Sequence, residues 1–531
     1  MSIESKEYQI LVSFMYKFNN LKIFLFSAFL VLISFFIYRN INVGLADESF
    51  LWYGTIHTTL GEVPLRDFQS YDPARYYWGA IWFKIFNNDG LMTLRASFAM
   101  LEVLGLTFAL LSLQRVIKSW FVLYFVGILI SFWMYVHYKS SDTVTAIAAV
   151  YFAVLLIDKP SLIRHFLIGI FVGFSAFIGR NHGVYNLFSF SFLIIFIWFK
   201  FSRELLLKRF FFWSLGIVIG YSPMILMYIL IPGLFEASLN NIKTIIQSGS
   251  NLKIPIAWPW SFNYLNSTPI EGLRYFSNTI YFLIYPLFNI LSLIYLLWTN
   301  SESLKRNYLF IATTFICLTY IHYAFDRADL IHLSFVIVPL IMALISIPIN
   351  SKLSVNVAKS IRIIILAFIF LTTIVSMGVY SPINQVKILF NSSYIPQNIK
   401  GDLLYLDAEN YKLIRTLQKI NHQLIKPTDE ILVASPLSGI YILLDKKSPI
   451  WDLYPVFSLS KERQKNIINQ INEKKVKWII INNNPLDDLE ERRFSNLNPL
   501  LWNYFIENFE IIKNSGLTNG NEIMQRKVNQ K

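Results

Sequence analysis

Two adjacent carboxylates, Asp47 and Glu48, follow directly after the first long apolar run of the 531-residue chain. An acidic pair at the mouth of a membrane helix is unfavourable unless it has a partner or a function. A carboxylate in this place can remove a proton from a hydroxyl group that lies within hydrogen-bond reach. The structural alternative is that Asp47 only caps an interfacial helix, since Asp is a favoured residue at helix starts.

The segment from 61 to 78 carries further polar and aromatic residues, in the order Gly-Glu-Val-Pro-Leu-Arg-Asp-Phe-Gln-Ser-Tyr-Asp-Pro-Ala-Arg-Tyr-Tyr-Trp. Its prolines interrupt helix, and its Tyr and Trp side chains suit the headgroup zone of a membrane. Asp67 and Asp72 could provide a second carboxylate for an acceptor or a metal ligand; the alternative is turn chemistry, since Asp before Pro initiates turns. Arg66 and Arg75 could bind phosphate, because the planar guanidinium group matches phosphate oxygens and stays charged.

A second polar constellation, Asp326-Arg327-Ala328-Asp329 with His332, stands at the end of a later apolar run. Helical spacing would place Asp329 and His332 on one face, and likewise Asp326 and Asp329. The set could bind a sugar, a phosphate or a divalent cation, although its spacing matches no metal motif. The structural alternative is a self-contained cluster of ion pairs.

Arg180 and His182 close another apolar run. Arg180 is a further candidate for phosphate binding, against the alternative that its long side chain only snorkels to the membrane surface. His182 is a candidate substrate ligand next to it. The single cysteine, Cys317, excludes a multi-thiolate metal site within one chain. A metal ligand set therefore stays unassigned.

Membrane helices must position these residues. The chain is 55% hydrophobic and only 15% charged, whereas roughly a quarter of the residues in a soluble domain are charged. Its apolar runs of about 16 to 23 residues can cross a hydrocarbon core of roughly 30 Å. The sequence predicts a polytopic α-helical membrane protein with about eleven transmembrane helices. They are predicted at 21–38, 91–113, 119–136, 142–157, 165–179, 184–199, 210–231, 276–298, 308–325, 333–349 and 363–380.

The net charge of +14 has a topological explanation. Lys and Arg cluster in short loops between apolar runs, which is how the positive-inside rule sets orientation, so the charge does not indicate nucleic-acid binding. If the N-terminus is cytoplasmic, the candidate residues fall in loops on the opposite side, and convergence of polar groups on one face is what a site needs. The opposite side then receives 39–90, 137–141, 180–183, 232–275, 326–332 and the chain after about 381.

Beyond the last apolar run the chain becomes polar and rich in Asn, Lys and Glu. Segments 430–433 and 476–481 are predicted strands, and 460–475 is a predicted amphipathic helix between them. Strand–helix–strand order favours a small α/β domain. We therefore expect a transmembrane domain, 1–380, with its catalytic loop at 39–90, and a small extracytoplasmic α/β domain, 381–531.

The loop pattern resembles the first extracytoplasmic loop of the GT-C glycosyltransferases, such as protein O-mannosyltransferases and the lipid A aminoarabinose transferases. The resemblance rests on Asp47-Glu48 and on the order of residues 61–68, followed by Tyr71-Asp72-Pro73 where the family often has Tyr-Pro-Pro. It implies a membrane enzyme that moves a hexose or pentose, with inversion, from a polyprenyl-phosphate-linked donor to a lipid, glycan or protein acceptor. Asp47 would be the base with Glu48 as its neighbour, and the arginines would hold the phosphate.

The resemblance also implies a location. We expect the bacterial inner (plasma) membrane, with the active site and the C-terminal domain on the periplasmic or extracellular side. Membrane lipid, the lipid-linked donor and the acceptor are the expected partners, and a divalent cation could be a cofactor.

Other classes of protein remain as alternatives. A lipid-linked glycan flippase or transporter would need polar residues at mid-membrane depth, whereas the candidates here gather toward one face. A non-catalytic envelope scaffold would bind through the C-terminal domain and keep its role without Asp47. An O-antigen ligase or polymerase shares the substrate class, but the acidic first loop and the C-terminal domain fit it less well.

Overall fold

The structure is a computed structural model that describes residues 3–248, 253–350, 353–380, 382–391, 393–453, 455–518 and 520–527. The helices up to residue 248 are α1 (Ile3–Tyr38), α2 (Asp47–Thr59), α3 (Ala74–Phe86), α4 (Leu91–Leu113), α5 (Trp120–Trp133), α6 (Ser140–Asp158), α7 (Leu162–Ile178), α8 (Arg180–Lys200), α9 (Leu206–Leu230) and α10 (Leu234–Ser248). They are followed by α11 (Pro269–Trp298), α12 (Ser301–Leu304), α13 (Tyr308–Asp326), α14 (Leu330–Ile345), α15 (Val355–Met377) and α16 (Pro382–Leu389).

The apolar helices confirm the polytopic helical class. Within the described ranges, eight helices are long and apolar enough to cross a membrane, and α5, α7 and α14 are shorter apolar helices. Each predicted apolar run corresponds to one of these eleven helices. The number that cross a membrane stays a prediction, because length and composition alone support it.

Helices α7 and α9 pack through four glycines. Gly169 and Gly173 lie one turn apart on α7, and Gly216 and Gly220 lie one turn apart on α9. A Cβ built on any of them would stand only 2.0 to 2.1 Å from a carbonyl oxygen of the other helix. Small residues four apart let two membrane helices approach closely. The close packing stabilises the helix pair, because no hydrophobic effect drives helices together in lipid.

The C-terminal segment forms a small α/β fold. A hairpin of β1 (Ile395–Ile399) and β2 (Asp402–Leu406) precedes a four-stranded sheet of order β3-β4-β6-β5. Strands β3 and β4 are parallel, and β6 is antiparallel to both β4 and β5. The elements of this region are α17 (Ala408–Gln423), β3 (Ile431–Ala434), α18 (Gly439–Leu443), α19 (Lys461–Glu473), β4 (Trp478–Asn482), α20 (Phe494–Leu497), α21 (Pro499–Asn508), β5 (Phe509–Ile511) and β6 (Asn521–Arg526).

The predicted strand–helix–strand order is confirmed. Helix α19 lies between the parallel strands β3 and β4 in the chain and buries Ile467 and Ile471, which are one turn apart. These side chains join a core with Ile479, Ile481 and Phe505. Parallel strands require a crossover connection of this kind, and the amphipathic helix covers one face of the sheet.

The chain divides into two compact units. The helical unit holds the described residues within Met1–Tyr38, Phe98–Leu226 and Lys253–Gln385. The loop unit holds those within Arg39–Ser97, Met227–Leu252 and Val386–Lys531. The predicted catalytic loop and the C-terminal strands thus belong to one compact unit. The division of the chain into domains 1–380 and 381–531 stays a prediction.

Candidate active site

The first candidate group lies in the loop unit at the start of α2. Helix α2 begins at Asp47, and its N-cap is Ala46, which makes no side-chain capping hydrogen bond. Asp47 is therefore a first-turn residue and not the cap. The unpaired backbone N–H groups of a first turn attract an anion. Asp47 is half-buried, whereas its neighbour Glu48 is buried, with 7% of its surface exposed.

A buried arginine engages Glu48. Arg95 donates from Nε and from a terminal nitrogen to the two oxygens of Glu48, each at 2.8 Å, and Gly44 N donates to the same carboxylate at 2.9 Å. Arg95 also donates to three backbone carbonyl groups between residues 39 and 42. The pair therefore anchors the segment that leads into α2.

Sequence reasoning missed Arg95, although a signal was present. The residue stands inside a predicted membrane helix, where an arginine is unfavourable unless an anion accompanies it. A search for that anion would have led to Glu48, the predicted neighbour of the base. The contact explains why Glu48 is buried, and it gives this side chain a positioning role in the structure.

Arg66 and Asp67 pair with each other. Arg66 donates from Nε to Oδ1 at 2.8 Å and from a terminal nitrogen to Oδ2 at 2.9 Å, and Val63 N donates to Asp67 at 2.7 Å. Burial raises the pKa of Asp67, but these hydrogen bonds lower it more, so the pKa lies below its usual value. Both side chains are about one-third exposed, so water screens the pair, and Arg66 can exchange its partner at low cost.

Asp72 and Arg75 flank the start of α3. Asp72 is half-buried and precedes Pro73, the N-cap of α3. This position fits the alternative role of Asp72, which is to initiate the turn before that helix. Arg75 is buried, with its guanidinium group 5.3 Å from the centre of the Tyr71 ring. A cation over an aromatic face is held in a defined position.

The second candidate group, in the helical unit, differs in part from the prediction. Helix α13 ends at Asp326, Arg327 is extended, and Asp329 is the N-cap of α14. Asp326 and Asp329 therefore do not share a helix face, and that prediction was wrong. A helix ends between them because an Asp that caps a new helix needs extended backbone.

Three residues of this group do come together around Asp329. His332 donates its backbone N–H at 2.8 Å, and its Nδ1 also lies 2.8 Å from the carboxylate. Arg327 Nε donates to the other oxygen at 2.8 Å. Burial raises the pKa of Asp329, but these interactions lower it more, and the pKa lies below its usual value. Asp329 and His332 thus lie together, as their spacing predicted, and their role as substrate ligands stays a prediction.

Arg180 and His182 lie in the first turn of α8, and His182 has a partner that the sequence did not suggest. Arg180 is half-buried. The His182 ring and the Asp142 carboxylate are both fully buried, and Nε2 lies 2.5 Å from Oδ1. Asp142 stands in the first turn of α6, forty positions earlier in the chain. An acid at the start of a membrane helix was the available signal.

A chain of hydrogen bonds continues from His182. Ser175 donates to the Val172 carbonyl at 2.7 Å, so its oxygen accepts from Asn186 Nδ2 at 3.0 Å. Asn186 Oδ1 accepts from the Tyr320 hydroxyl at 3.3 Å, and the Tyr320 oxygen faces His182 Nδ1 at 3.2 Å. The Asp142–His182 pair is thereby connected to a buried network of polar side chains, in which buried polar groups find the hydrogen-bond partners that they need.

No metal site is formed by side chains of the described ranges, since no group of three or more His, Cys, Asp or Glu is placed to hold an ion there. A divalent cation therefore stays a hypothesis. Asp47, Glu48, Arg66, Asp67, Asp72 and Arg75 belong to the loop unit, whereas Arg180, His182, Asp326, Arg327, Asp329 and His332 belong to the helical unit. Their convergence on one face stays a prediction.

Comparison with known proteins gives structural matches only. No family model and no curated protein matches the chain. Archaeal oligosaccharyltransferase AglB from Archaeoglobus fulgidus, in complex with an inhibitory peptide and a dolichol-phosphate, is 12% identical with a TM-score of 0.44, and the match covers 97% of this chain and 75% of that chain. The apo form of the Archaeoglobus fulgidus oligosaccharyltransferase is 13% identical with a TM-score of 0.47, over 88% of this chain and 70% of that chain.

A third match is the same oligosaccharyltransferase tethered to an acceptor peptide with an NVT sequon, at 12% identity and a TM-score of 0.41, over 97% of this chain and 75% of that chain. All three TM-scores lie below 0.5.

Proposed function

We propose that this protein is a membrane glycosyltransferase that moves a sugar from a polyprenyl-phosphate-linked donor to an acceptor outside the cytoplasm. The observation that supports the proposal is that two neighbouring acidic residues differ in burial. Glu48 is buried against Arg95, whereas Asp47 is half-buried in the first turn of the same helix. A buried ion pair that anchors a helix start, beside a half-buried acidic residue, is the arrangement that a positioned base requires.

Asp47 is the proposed base. It takes the proton of the acceptor hydroxyl while the acceptor oxygen forms its bond to the anomeric carbon of the sugar. The bond from that carbon to the phosphate oxygen breaks on the opposite face, and its electron pair leaves with polyprenyl phosphate. The configuration at the anomeric carbon therefore inverts. The departing phosphate is a stable anion, so the reaction needs no acid.

The arginines are proposed to stabilise the departing phosphate, which is often the larger rate term in such reactions. Of the two candidate arginines in the loop unit, Arg66 is the more exposed, since its pair with Asp67 is partly exposed and Arg75 is buried. Arg327 is held by Asp329 and would share its guanidinium group between the two anions. The remaining proposed phosphate ligands are Arg75 and Arg180. The proposed sugar or acceptor ligands are Asp67, Asp72, His182, Asp326, Asp329 and His332.

The proposed location is the plasma membrane, with the site on the side opposite to the basic loops. Lys and Arg in short loops face the cytoplasm by the positive-inside rule. Lipid-linked sugars that have been moved across the membrane would then reach the site from the outer leaflet. No step is assigned to a metal ion, because no described side chains form a ligand group for one.

The test is sugar transfer by the purified full-length protein in detergent. Wild type and Asp47→Asn would be supplied with a panel of polyprenyl-phosphate sugars and with lipid, glycan and peptide acceptors, and the release of polyprenyl phosphate would be measured. Because a general base contributes about 10²–10⁴-fold, we expect a kcat loss of that size with donor binding retained. The matched control is Asp158→Asn, at an Asp that pairs with Arg115 and Arg164 in a predicted cytoplasmic loop.

The outcomes separate the alternatives. Turnover by wild type and by Asp158→Asn, with its loss in Asp47→Asn, would establish the enzyme and its base. Equal turnover by Asp47→Asn would refute Asp47 as the base and direct attention to Asp72 or Asp329. No turnover with any donor, in protein that is folded, would contradict the proposal and favour a transporter or a scaffold.

A further inference from the structure

The C-terminal α/β segment contacts the loop on both sides of Asp47. We propose that it is a positioning scaffold, in which residues 403–410 and 438–439 hold segment 40–49 and thereby orient the Asp47 carboxylate. This inference rests on the proposed function for its kinetic consequence, whereas the scaffold itself can be measured without any turnover. It assigns a role to a part of the chain that the sequence left without one.

The first contact lies on the N-terminal side of Asp47. Residues 40–42 run beside β2, where Asn42 N donates to the Tyr405 carbonyl at 2.9 Å and Tyr405 N donates to the Asn40 carbonyl at 2.8 Å. The Asn40 side chain also donates to the Leu403 carbonyl at 2.6 Å. Segment 40–42 is thus attached to the edge of the β1–β2 hairpin, as an added strand would be.

Asn42 and Asp407 form the centre of this contact. Asn42 Nδ2 donates to Asp407 Oδ2 at 2.7 Å, and Asp407 N donates to Asn42 Oδ1 at 3.1 Å. The other carboxylate oxygen of Asp407 accepts the N–H of Asn410 at 2.8 Å and so caps α17. Asn42 has a φ of 51°, a left-handed conformation that Asn tolerates better than most residues. Both the side chain and the backbone of Asn42 therefore suit this place.

The second contact lies at residues on either side of Asp47. Gly439 N, at the start of α18, donates to the Leu45 carbonyl at 2.9 Å. A Cβ on Gly439 would stand 2.6 Å from Ser49 Oγ and 2.9 Å from a Leu45 methyl group, so only glycine allows this approach. The backbone of the α/β segment therefore touches the residues two positions before and two positions after Asp47.

The same segment also holds the rest of the loop. Trp451 Nε1 donates to the Leu65 carbonyl at 3.0 Å, and the Trp451 carbonyl accepts from Gln69 N at 2.8 Å. Gln69 Oε1 in turn accepts from Leu453 N at 2.9 Å. Leu65 adopts a φ of 73°, which is strained for leucine and needs surrounding contacts to persist. These contacts supply that support.

A scaffold of this kind should change kcat and not donor affinity. Donor binding depends on the arginines and on the apolar surface, whereas proton removal depends on where the Asp47 carboxylate stands. A displacement of about 1 Å at a reacting group can reduce the rate by about 10²-fold. Loss of the Asn42–Asp407 contact should therefore lower kcat by about 10- to 10²-fold at unchanged donor KM.

The experiment uses four variants of the full-length protein. Asp407→Ala removes both acceptor oxygens, whereas Asp407→Asn keeps one oxygen, which can accept from Asn42 or cap α17 but cannot do both. Asn42→Gly removes the side chain without straining the left-handed backbone. Asp445→Asn is the matched control, because that carboxylate is 87% exposed and pairs with Lys400 at the surface, and Asn tolerates the left-handed φ of 52° at this position. Hydrogen–deuterium exchange of residues 41–50 and steady-state kinetics with the donor would be measured for each.

The expected result is faster exchange in 41–50 and lower kcat for Asp407→Ala and Asn42→Gly, with intermediate values for Asp407→Asn and values near wild type for Asp445→Asn. In addition, Asp407→Ala should cause no further loss of turnover in an Asp47→Asn background, because the scaffold acts through Asp47.

Three results would overturn the inference. They are unchanged exchange in Asp407→Ala, faster exchange with unchanged kcat, and a full additional loss in the Asp47→Asn background, which would indicate general damage. If Asp47 is not the base, the result differs, because Asp47→Asn alone would then keep wild-type turnover. The exchange data would still show whether the α/β segment holds segment 40–49.

Discussion

Removal of Arg95 is expected to destabilise the loop unit strongly. The side chain is 8% exposed and makes two hydrogen bonds to Glu48 and three to backbone carbonyl groups between residues 39 and 42. Arg95→Met keeps much of the apolar stem but leaves Glu48 buried without its counter-ion. Glu48→Gln is milder, because the amide oxygen can still accept from Arg95 and the three carbonyl contacts remain.

The expected loss of stability follows from the burial of both Arg95 and Glu48. Breaking a buried pair by removing one partner costs about 3–5 kcal/mol. The upper end applies to Arg95→Met, since three carbonyl groups also lose a donor, and the lower end applies to Glu48→Gln. At roughly 2–4 °C per kcal/mol for a unit of this size, Tm should fall by about 10–20 °C and about 6–12 °C, respectively.

The assay is thermal unfolding of the purified protein in detergent, followed by tryptophan fluorescence, since Trp52 in this unit is 1% exposed. Replacement of both partners by apolar residues, Glu48→Leu with Arg95→Met, should recover part of the loss, because no charge then stays buried alone. Lys400→Ala, which breaks a surface pair with Asp445, is the control and should cost less than about 1 kcal/mol. A Tm for Arg95→Met within about 2 °C of wild type, or a double variant less stable than Arg95→Met, would refute the reasoning.

Three further changes test other parts of the structure by thermal unfolding. His182→Ala leaves the fully buried Asp142 without its partner, and we expect a loss of about 3–5 kcal/mol. Gly216→Ala places a Cβ 2.1 Å from a carbonyl oxygen of α7, and we expect a loss of about 1–3 kcal/mol from overpacking. At Asp429, burial raises the pKa, but hydrogen bonds from Trp478 and neighbouring groups lower it more, to below 3.8. Its stabilising contribution is thus present above pH 3.8 and is lost as the pH falls through the lower folded value. Asp429→Asn should lower Tm at pH 7, and the difference from wild type should vanish in acid.

Each of these changes has a matched control in the same chain. His322→Ala removes an exposed histidine, Gly378→Ala adds a Cβ that meets no atom within 4 Å, and Asp445→Asn changes an exposed carboxylate. Surface changes of this kind usually stay within about 0.5 kcal/mol. A control as damaging as its test variant would refute the assigned cause, as would a Tm difference at Asp429 that does not shrink as the pH falls below 3.8.

Local pattern was sufficient for most of the fold. The apolar runs and their lengths predict membrane helices, since a helix in lipid satisfies its backbone hydrogen bonds within one segment. Each predicted run corresponds to an observed apolar helix. The C-terminal strands and α19 were likewise predictable, because their alternating and helical periodicities are local properties of the chain.

Pairing between distant residues was not predictable from one sequence. Arg95 and Glu48 are 47 positions apart, and His182 and Asp142 are 40 positions apart. The spacing of residues along the chain does not indicate which buried acid pairs with which buried base. The packing of the folded elements determines these pairs. At Asp326 and Asp329, helical spacing predicted a shared face, whereas the new helix that Asp329 caps breaks the periodicity between them.

Hydrophobic length and side-chain chemistry belong to single residues and short runs, so the class of the protein and the chemical types at its candidate site could be inferred before folding was considered. The burial of Glu48, the half-burial of Asp47 and the contacts that hold the segment around them became visible only in the folded chain. Burial and hydrogen bonding depend on neighbours brought together from far along the chain. For that reason the two adjacent acids, Asp47 and Glu48, look equivalent in the sequence and differ in the folded protein.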